Sequence, residues 1–268
     1  MKETFGFIGC GNMGGALASA VAKTVPSAQI TLCDALAEKA ETLADTLSAN
    51  VSDAKIIAQE CDFIFLGVKP QGFEALFEEI RPVLRSREDD FVLVSMAAGV
   101  SISTVEKLAG IECPVIRIMP NTPVSVEEGM ILYTTNDKVS DEQLKAFKSS
   151  LLCAGVIDAI SEDKIDAASA LSGCGPAFVY MFAEALADGA VECGLMRDKA
   201  NLYAAQTLIG AAKLLIESDK HPGQLKDEVC SPGGTTIAGV HALEDGGFRA
   251  SVLNAVTASY QKTLKLKK

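Results

Sequence analysis

A turn near the C-terminus has the composition of an anion-binding loop. Ser231-Pro232-Gly233-Gly234-Thr235-Thr236 runs directly into apolar residues at helical spacing. Consecutive glycines let the backbone fold closely around a ligand, and the N–H groups at the start of a helix attract negative charge. The turn therefore predicts a binding site for a small carboxylate. The candidate contacts are Ser231, Gly234, Thr235 and Thr236.

A second glycine-rich turn, Gly9-Cys10-Gly11-Asn12-Met13-Gly14, lies near the N-terminus between an apolar run and an alanine-rich helical pattern. Strand, glycine turn and helix in this order are typical of a dinucleotide site, because the glycines allow a tight turn and close approach of the pyrophosphate. The motif alone is weak, since a plain strand-to-helix connection also uses glycine. Its context favours a nucleotide. The candidate cofactor contacts are Ile8, Gly9, Cys10, Gly11, Asn12 and Met13.

Asp34 follows the second predicted strand, 25 residues after Gly9. Near this position, dinucleotide-binding domains carry an acidic side chain that binds the 2′-hydroxyl of the adenosine ribose. A carboxylate would repel a 2′-phosphate, and no arginine occurs between residues 31 and 40 to bind one. The alternative is a solvated turn residue. We therefore expect NADPH or NADH as the cofactor, with NADH used at least comparably.

Residues that follow two further predicted strands complete the candidate cofactor site. In an open α/β sheet, ligands bind beyond the carboxyl ends of the strands. Small residues there permit flat approach of a nicotinamide ring, and a lysine supplies positive charge, although a surface lysine is an equally good interpretation. The residues are Val68, Lys69 and Pro70 after one strand, and Ala97 and Ala98 after another.

The chain has two halves with different hydrophobic patterns. Up to about Ile160, short apolar runs alternate with helical patterns, which is typical of a doubly wound parallel sheet. Strands are predicted at Phe5–Ile8, Gln29–Cys33, Phe63–Val68, Phe91–Ser95, Val115–Met119 and Met130–Thr134. Beyond about Lys164, helices are predicted at 176–194, 198–218 and 248–266. We expect an α/β fold, with a Rossmann-type NAD(P)-binding domain over 1–163 and an all-α dimerisation and substrate domain over 164–268.

Composition argues against several classes of partner. The 268 residues include 35 acidic and 24 basic side chains, and the net charge of −11 repels nucleic acids and anionic membrane surfaces. Eight scattered cysteines without a C-x-x-C pair, and only two histidines, predict reduced thiols and no metal site. No apolar run has the length of a membrane span, and no signal-peptide core follows the first residues. A cytoplasmic protein is expected.

Seven segments together resemble those of the pyrroline-5-carboxylate reductases. The resemblance spans essentially the whole chain and is most specific from Ser231 through Glu244. Two positions depart from the family pattern: Cys174 stands where serine is usual, and Ala54 where an asparagine often touches the adenine-side ribose. The segments are Gly9–Gly14, Val68–Gln71, Ala97–Val100, Met119–Pro123, Leu171–Ala177, His221–Leu225 and Ser231–Thr236.

The resemblance implies NAD(P)H-dependent reduction of the cyclic imine Δ1-pyrroline-5-carboxylate to L-proline, the last step of proline biosynthesis. It also implies a helical domain that interlocks with a second subunit in a dimer or larger assembly. The hydroxyl of Thr236 is the candidate catalytic group, placed as polar partner of the ring nitrogen, with positioning favoured over proton donation. Glu162 resembles a family position near the substrate, where its carboxylate would favour the iminium. A surface acid is an equally good interpretation of Glu162.

Two other classes of protein fit parts of the sequence. A β-hydroxyacid dehydrogenase or related imine reductase also joins a Rossmann domain to a helical one, but the hydroxyacid enzyme needs a lysine base. Lys164, Lys199 and Lys213 lie in the helical half, and none is in a glycine-rich turn. A regulator that senses NAD(P) and binds a partner protein is the non-enzymatic alternative. Oxidation of the reduced cofactor by pyrroline-5-carboxylate distinguishes these classes.

Overall fold

The computed structural model describes residues 3–266, which fall into two compact units. The first unit contains the chain up to Cys174 and the residues from Ser259 onward, and the second contains Gly175–Ala258.

The first unit is built on one eight-stranded sheet with the strand order β3-β2-β1-β4-β5-β6-β7-β8. All neighbouring strands are parallel except β6 and β7, which are antiparallel. The strands are β1 (Phe5–Ile8), β2 (Ile30–Cys33), β3 (Asn50–Val51), β4 (Phe63–Leu66), β5 (Val92–Ser95), β6 (Val115–Met119), β7 (Gly129–Thr135) and β8 (Gly155–Ala159).

Helices cover both faces of this sheet. Because side chains alternate along a strand, Phe5 and Phe7 of β1 enter one apolar cluster and Ile8 enters a second, on the opposite face. The helices are α1 (Asn12–Val21), α2 (Ala37–Leu47), α3 (Ala54–Glu60), α4 (Phe73–Ser86), α5 (Ile102–Ala109), α6 (Asp141–Ser150) and α7 (Glu162–Ser172). The doubly wound fold predicted from the sequence is thereby confirmed.

The second unit is helical, as predicted, and has a very small core. It contains α8 (Gly175–Glu192), α9 (Arg197–Glu217), α10 (Pro222–Val229), α11 (Thr235–Asp245) and the first part of α12 (Phe248–Leu266). Its buried apolar side chains are Ala187, Ala200 and Ala204. Large apolar residues remain exposed on α8 and α9, among them Tyr180, Met181, Leu202, Tyr203 and Ile216.

The structure differs from the sequence-based description in three respects. Strands β3 and β8 were not predicted, because both residues of β3 are exposed and β8 is an edge strand with mostly exposed residues. The compact unit that contains the sheet extends past residue 163 to Cys174, because α7 packs on β7 and buries Ile165 and Ala170, and the functional division at residue 163 stays a prediction. The stretch Glu162–Glu192 is long and apolar enough to cross a membrane by length and composition alone. This last finding corrects the expectation that no run has that length.

Candidate cofactor and substrate sites

The N-terminal glycine turn connects β1 to α1 through a backbone that glycine adopts readily. Gly9 has φ of +104°, and its N–H donates to the carbonyl of Cys33 at 2.7 Å, which ties the turn to the end of β2. Gly11 is the N-cap residue of α1. The N–H groups of Asn12 and Met13 therefore lie in the first helical turn, where the helix itself offers them no acceptor.

The turn is closely packed around Gly9 and open at Gly11. A side chain at Gly14 would collide with the carbonyl oxygen of Gly9, and a Cβ at Gly67 would lie 2.5 Å from the same oxygen. At Gly11 a Cβ would meet no protein atom within 4 Å. The open side at Gly11 fits the approach of a pyrophosphate to the backbone. The close approach of Gly67 to Gly9 was not predicted, although a glycine directly after an apolar strand could have indicated it.

Asp34 lies beside this turn, and both of its carboxylate oxygens accept hydrogen bonds from backbone N–H groups. Its Oδ2 accepts the N–H of Cys10 at 2.7 Å, and its Oδ1 accepts the N–H of Leu36 at 2.9 Å. Burial, followed by the charge of Asp34, raises the pKa of the Cys10 thiol to about 11. Cys10 is therefore a neutral thiol at physiological pH, and its Sγ donates to the carbonyl of Cys33 at 3.4 Å.

The other predicted cofactor residues follow β4 and β5. Lys69 and Pro70 are exposed, and Pro70 begins a short 3₁₀ helix that ends at Gly72. Ala97 is buried in a turn closed by the N–H of Val100, which donates to the Ala97 carbonyl at 3.3 Å. Since β2, β1, β4 and β5 are consecutive parallel strands, the residues that follow them share one edge of the sheet. This is the edge where open α/β sheets bind ligands.

A buried ion-pair network that was not predicted from the sequence connects β6 to α7. The guanidinium of Arg117 donates to Asp166 at 2.5 Å, and both side chains are 2% exposed. A second nitrogen of Arg117 lies 3.5 Å from Glu162 Oε1, which also accepts the N–H of Ile102 at 2.7 Å. Glu162 thus contacts the first residue of α5. The sequence feature that could have indicated this network is an arginine inside the otherwise apolar run Val115–Met119.

Asn121, which follows β6, makes long-range contacts rather than a local cap. Its Nδ2 donates to the carbonyl of Ser172 at 2.9 Å, and its Oδ1 accepts the N–H of Met130 at 2.9 Å. The side chain is 8% exposed. Asn121 therefore joins the ends of β6 and α7 to the start of β7.

In the second unit, the C-terminal turn has the geometry of an anion cradle. Gly233 has φ of +67°, and Gly234 is the N-cap residue of α11. The N–H of Gly234 donates to the Ser231 carbonyl at 3.0 Å, and a side chain at Gly234 would collide with Ser231 Oγ. No acidic residue occupies the first turn of α11. The N–H groups of Thr235 and Thr236 thus begin a helix whose positive end has no carboxylate of its own.

The two hydroxyls of this turn differ in accessibility. Thr235 is exposed, whereas Thr236 is half-buried. A half-buried hydroxyl is the better placed of the two to make a directional hydrogen bond to a ligand, because less water competes for it. The lysines that a hydroxyacid dehydrogenase would need are all exposed, and Lys164 pairs with Asp163 at 3.3 Å.

Comparisons with known protein families match both units. Residues 162–266 match the model for pyrroline-5-carboxylate reductase dimerisation. Residues 4–99 match the model described as NADP oxidoreductase coenzyme F420-dependent.

Individual relatives are similar over all or nearly all of this chain. A pyrroline-5-carboxylate reductase of Escherichia coli is 40% identical over 271 residues, which cover 100% of both chains. The human pyrroline-5-carboxylate reductase 2 is 41% identical over 97% of this chain and 83% of its own. A crystal structure of the Plasmodium falciparum pyrroline carboxylate reductase with NADP bound superimposes with a TM-score of 0.89 and 34% identity, covering 100% of this chain and 99% of that one.

Proposed function

The chain belongs to the pyrroline-5-carboxylate reductase family, and from this premise we propose that it reduces Δ1-pyrroline-5-carboxylate to L-proline with NAD(P)H. The observation that carries the proposal is the 40% identity to the Escherichia coli reductase over the whole of both chains. In this reaction the C=N carbon accepts a hydride, and the ring nitrogen of the amine product carries one proton, which either enters with the protonated imine or comes from solvent. The imine is reduced to a secondary amine, and the nicotinamide is oxidised to NAD(P)⁺.

The first unit would hold the cofactor, which supplies the hydride when bound. The open side of Gly11 and the N–H groups of Asn12 and Met13 fit a pyrophosphate. Asp34 would accept hydrogen bonds from the adenosine ribose. The turns that contain Lys69 and Ala97 follow the neighbouring strands and would lie along the rest of the dinucleotide.

The second unit would hold the carboxylate of the substrate at the start of α11. The N–H groups of Thr235 and Thr236 would supply hydrogen bonds and the positive end of a helix dipole, while the N–H of Gly234 is already used inside the turn by the Ser231 carbonyl. Fixing the ring in this way makes hydride transfer effectively intramolecular. The reaction needs no protein nucleophile. The Thr236 hydroxyl would orient the ring nitrogen, which enters protonated or receives its proton at this group.

Self-association as a dimer or a larger assembly completes the proposal. The exposed apolar residues of α8 and α9 outnumber the three buried alanines of the same unit, and a helical unit with so small a core needs a partner surface. The dimerisation model matches this part of the chain. Burial against a second subunit would also explain why the stretch Glu162–Glu192 is long and apolar. Light scattering at micromolar concentration tests the assembly, and a fully active monomer would contradict it.

Two further elements of the proposal rest on composition. The net charge of −11 supports a small-molecule enzyme without nucleic-acid or membrane partners. All eight cysteines are free thiols, which supports a reducing, cytoplasmic location.

The experiment that tests the function follows the absorbance of the reduced nicotinamide after pyrroline-5-carboxylate is added to the purified protein. We expect loss of absorbance that depends on both imine and protein. A β-hydroxyacid with the oxidised cofactor is the control substrate, and turnover of that substrate alone would indicate the dehydrogenase alternative. Binding of NAD(P)H without turnover of either substrate would indicate the sensing regulator.

A further inference from the structure

We infer that Arg117 is a positioning residue, which holds the turn Ala97–Val100 in place through Glu162. This inference rests on the proposed function, because that turn is proposed to contact the nicotinamide side of the cofactor. Arg117 and Glu162 themselves act on the protein backbone.

The first step is the contact of one guanidinium with two carboxylates of the same helix. Glu162 and Asp166 are four residues apart on α7, so they lie on one face of the helix. Arg117 contacts Asp166 at 2.5 Å and Glu162 at 3.5 Å. Asp166 is buried with Arg117, whereas the Glu162 side chain is 38% exposed. The guanidinium therefore fixes the first turn of α7 against β6.

The second step is the contact of Glu162 with α5. Glu162 Oε1 accepts the N–H of Ile102, the first residue of α5, at 2.7 Å. The N-cap residue Ser101 accepts the N–H of Thr104 instead, at 3.1 Å. Glu162 thus supplies an acceptor to one of the N–H groups that a helix cannot satisfy internally. The start of α5 is anchored to α7, and through Arg117 to β6.

The third step is that the two ends of the turn are held in different ways, the first by backbone pairing of β5 with β6 and the second by the side chain of Glu162. On the N-terminal side, Ser95 is the register partner of Arg117 in the parallel pairing of β5 with β6. On the C-terminal side, Ile102 is held by Glu162. The turn Ala97–Val100 lies between these two anchors. Its position therefore depends on whether Arg117 keeps Glu162 in place.

Stability alone does not explain the buried pair. Removing two charges from water is costly, and replacing a buried ion pair with apolar side chains of similar volume is often neutral or stabilising. A pair that serves only stability should be replaceable in this way without loss of activity. A pair that positions the turn should not be replaceable, because a displacement of about 1 Å near the reacting groups can cost on the order of 100-fold in rate.

The test is the double variant Arg117→Met/Asp166→Leu, which removes the pair without leaving one buried charge alone. We expect the thermal midpoint to stay near that of the parent while kcat falls by roughly 10-fold to 100-fold. The KM for the substrate should change much less, because the anion cradle that would hold its carboxylate lies at the start of α11, away from the substituted pair in sequence. Amide hydrogen exchange of Ile102 should become faster. Asp163→Asn is the matched control, since Asp163 is an exposed acid on the same turn of α7 and contacts Ser161 and Lys164.

A second pair of variants keeps the test decisive if the double variant does not fold. Glu162→Ala removes the acceptor for Ile102 and leaves Arg117 paired with Asp166, so it should speed exchange at Ile102 and lower kcat. Glu162→Gln keeps an amide oxygen there, so it should protect Ile102 and lose less kcat than Glu162→Ala.

Two results would overturn the inference. One is parental kcat in a folded double variant. The other is an equal loss of kcat in Glu162→Gln and Glu162→Ala while Ile102 stays protected in the former, which would mean that the charge of Glu162 acts on the substrate. If the parent does not reduce pyrroline-5-carboxylate, the proposed function fails, whereas the exchange measurements still decide whether Arg117 and Glu162 hold the turn.

Discussion

The carboxylate of Asp34 accepts the backbone N–H of Cys10 at 2.7 Å, which joins the end of β2 to the glycine turn after β1. The second oxygen accepts the N–H of Leu36 at 2.9 Å. Each carboxylate oxygen has further acceptor capacity for a ribose hydroxyl. The two backbone bonds hold the side chain in place, so a negative charge is fixed at the position where we propose that the adenosine ribose binds.

We predict from this relationship that NADH is used at least comparably with NADPH. The measurement is kcat/KM for both cofactors in the parent, in Asp34→Ser and in Asp34→Asn. Both variants should shift the preference toward NADPH, by about tenfold or 1.4 kcal/mol, because the repulsion is removed. Asp34→Asn is the closer control, since its amide oxygen can still accept the N–H of Cys10. A strong NADPH preference in the parent that neither substitution alters would show that Asp34 does not face the ribose.

Gly11→Val should weaken binding of the reduced cofactor severely while the fold remains intact. A Cβ at this position would meet no protein atom within 4 Å. The added side chain should therefore clash only with a ligand that approaches the backbone. Titration by nicotinamide fluorescence measures the affinity, and circular dichroism checks the fold. Unchanged affinity in a folded variant would remove the pyrophosphate from this turn.

Thr236→Val should impair catalysis more than cofactor binding. Valine keeps the volume and the backbone N–H, so the carboxylate should stay anchored while the hydroxyl contact is lost. If that contact is made only in the transition state, kcat and kcat/KM should fall together by on the order of 10-fold to 100-fold, for a lost hydrogen bond of about 1.5–3 kcal/mol.

Thr235→Val is the matched control for this prediction. Its hydroxyl is the exposed neighbour on the same turn, and its loss should be milder. Near-parental rates in both variants would leave only backbone anion binding at the start of α11.

Stability should fall at alkaline pH because of buried thiols. Burial raises the pKa of Cys113 from 9.0 to about 12, so the folded state holds the proton more tightly than the unfolded chain. The resulting stabilisation is complete below about pH 9 and is lost as the pH rises toward 12. Denaturant midpoints at rising pH measure this loss, and Cys113→Ala should make the decline less steep. An identical pH dependence in parent and variant would contradict the assignment.

The sequence predicted those features that depend on neighbouring residues. Buried parallel strands appear as short apolar runs, so Phe5–Ile8 and Val115–Met119 were predicted with the bounds that the structure shows. The glycine turns were recognisable because each is defined by a few consecutive residues. Asp34 was predicted to face the ribose from its place after the second strand, 25 residues after Gly9, and that role remains a prediction.

Contacts between distant parts of the chain could not be predicted in this way. Arg117 and Asp166 are 49 residues apart, and only the packing of α7 on the sheet brings them together. The same applies to Glu162 and Ile102, which are 60 residues apart. Glu162 was predicted near the substrate from a family resemblance, and that role remains a prediction. Its contact with α5 adds a structural alternative that the variants above distinguish.

The most direct measurement of the central claim is transfer of deuterium from the cofactor to the product. Parent protein is incubated with pyrroline-5-carboxylate and reduced cofactor that is dideuterated at C4 of the nicotinamide, and the proline is analysed by mass spectrometry. The proposed function predicts L-proline that carries one deuterium on the carbon of the former C=N bond. Proline without the label, or no proline while the cofactor remains bound and reduced, would contradict it.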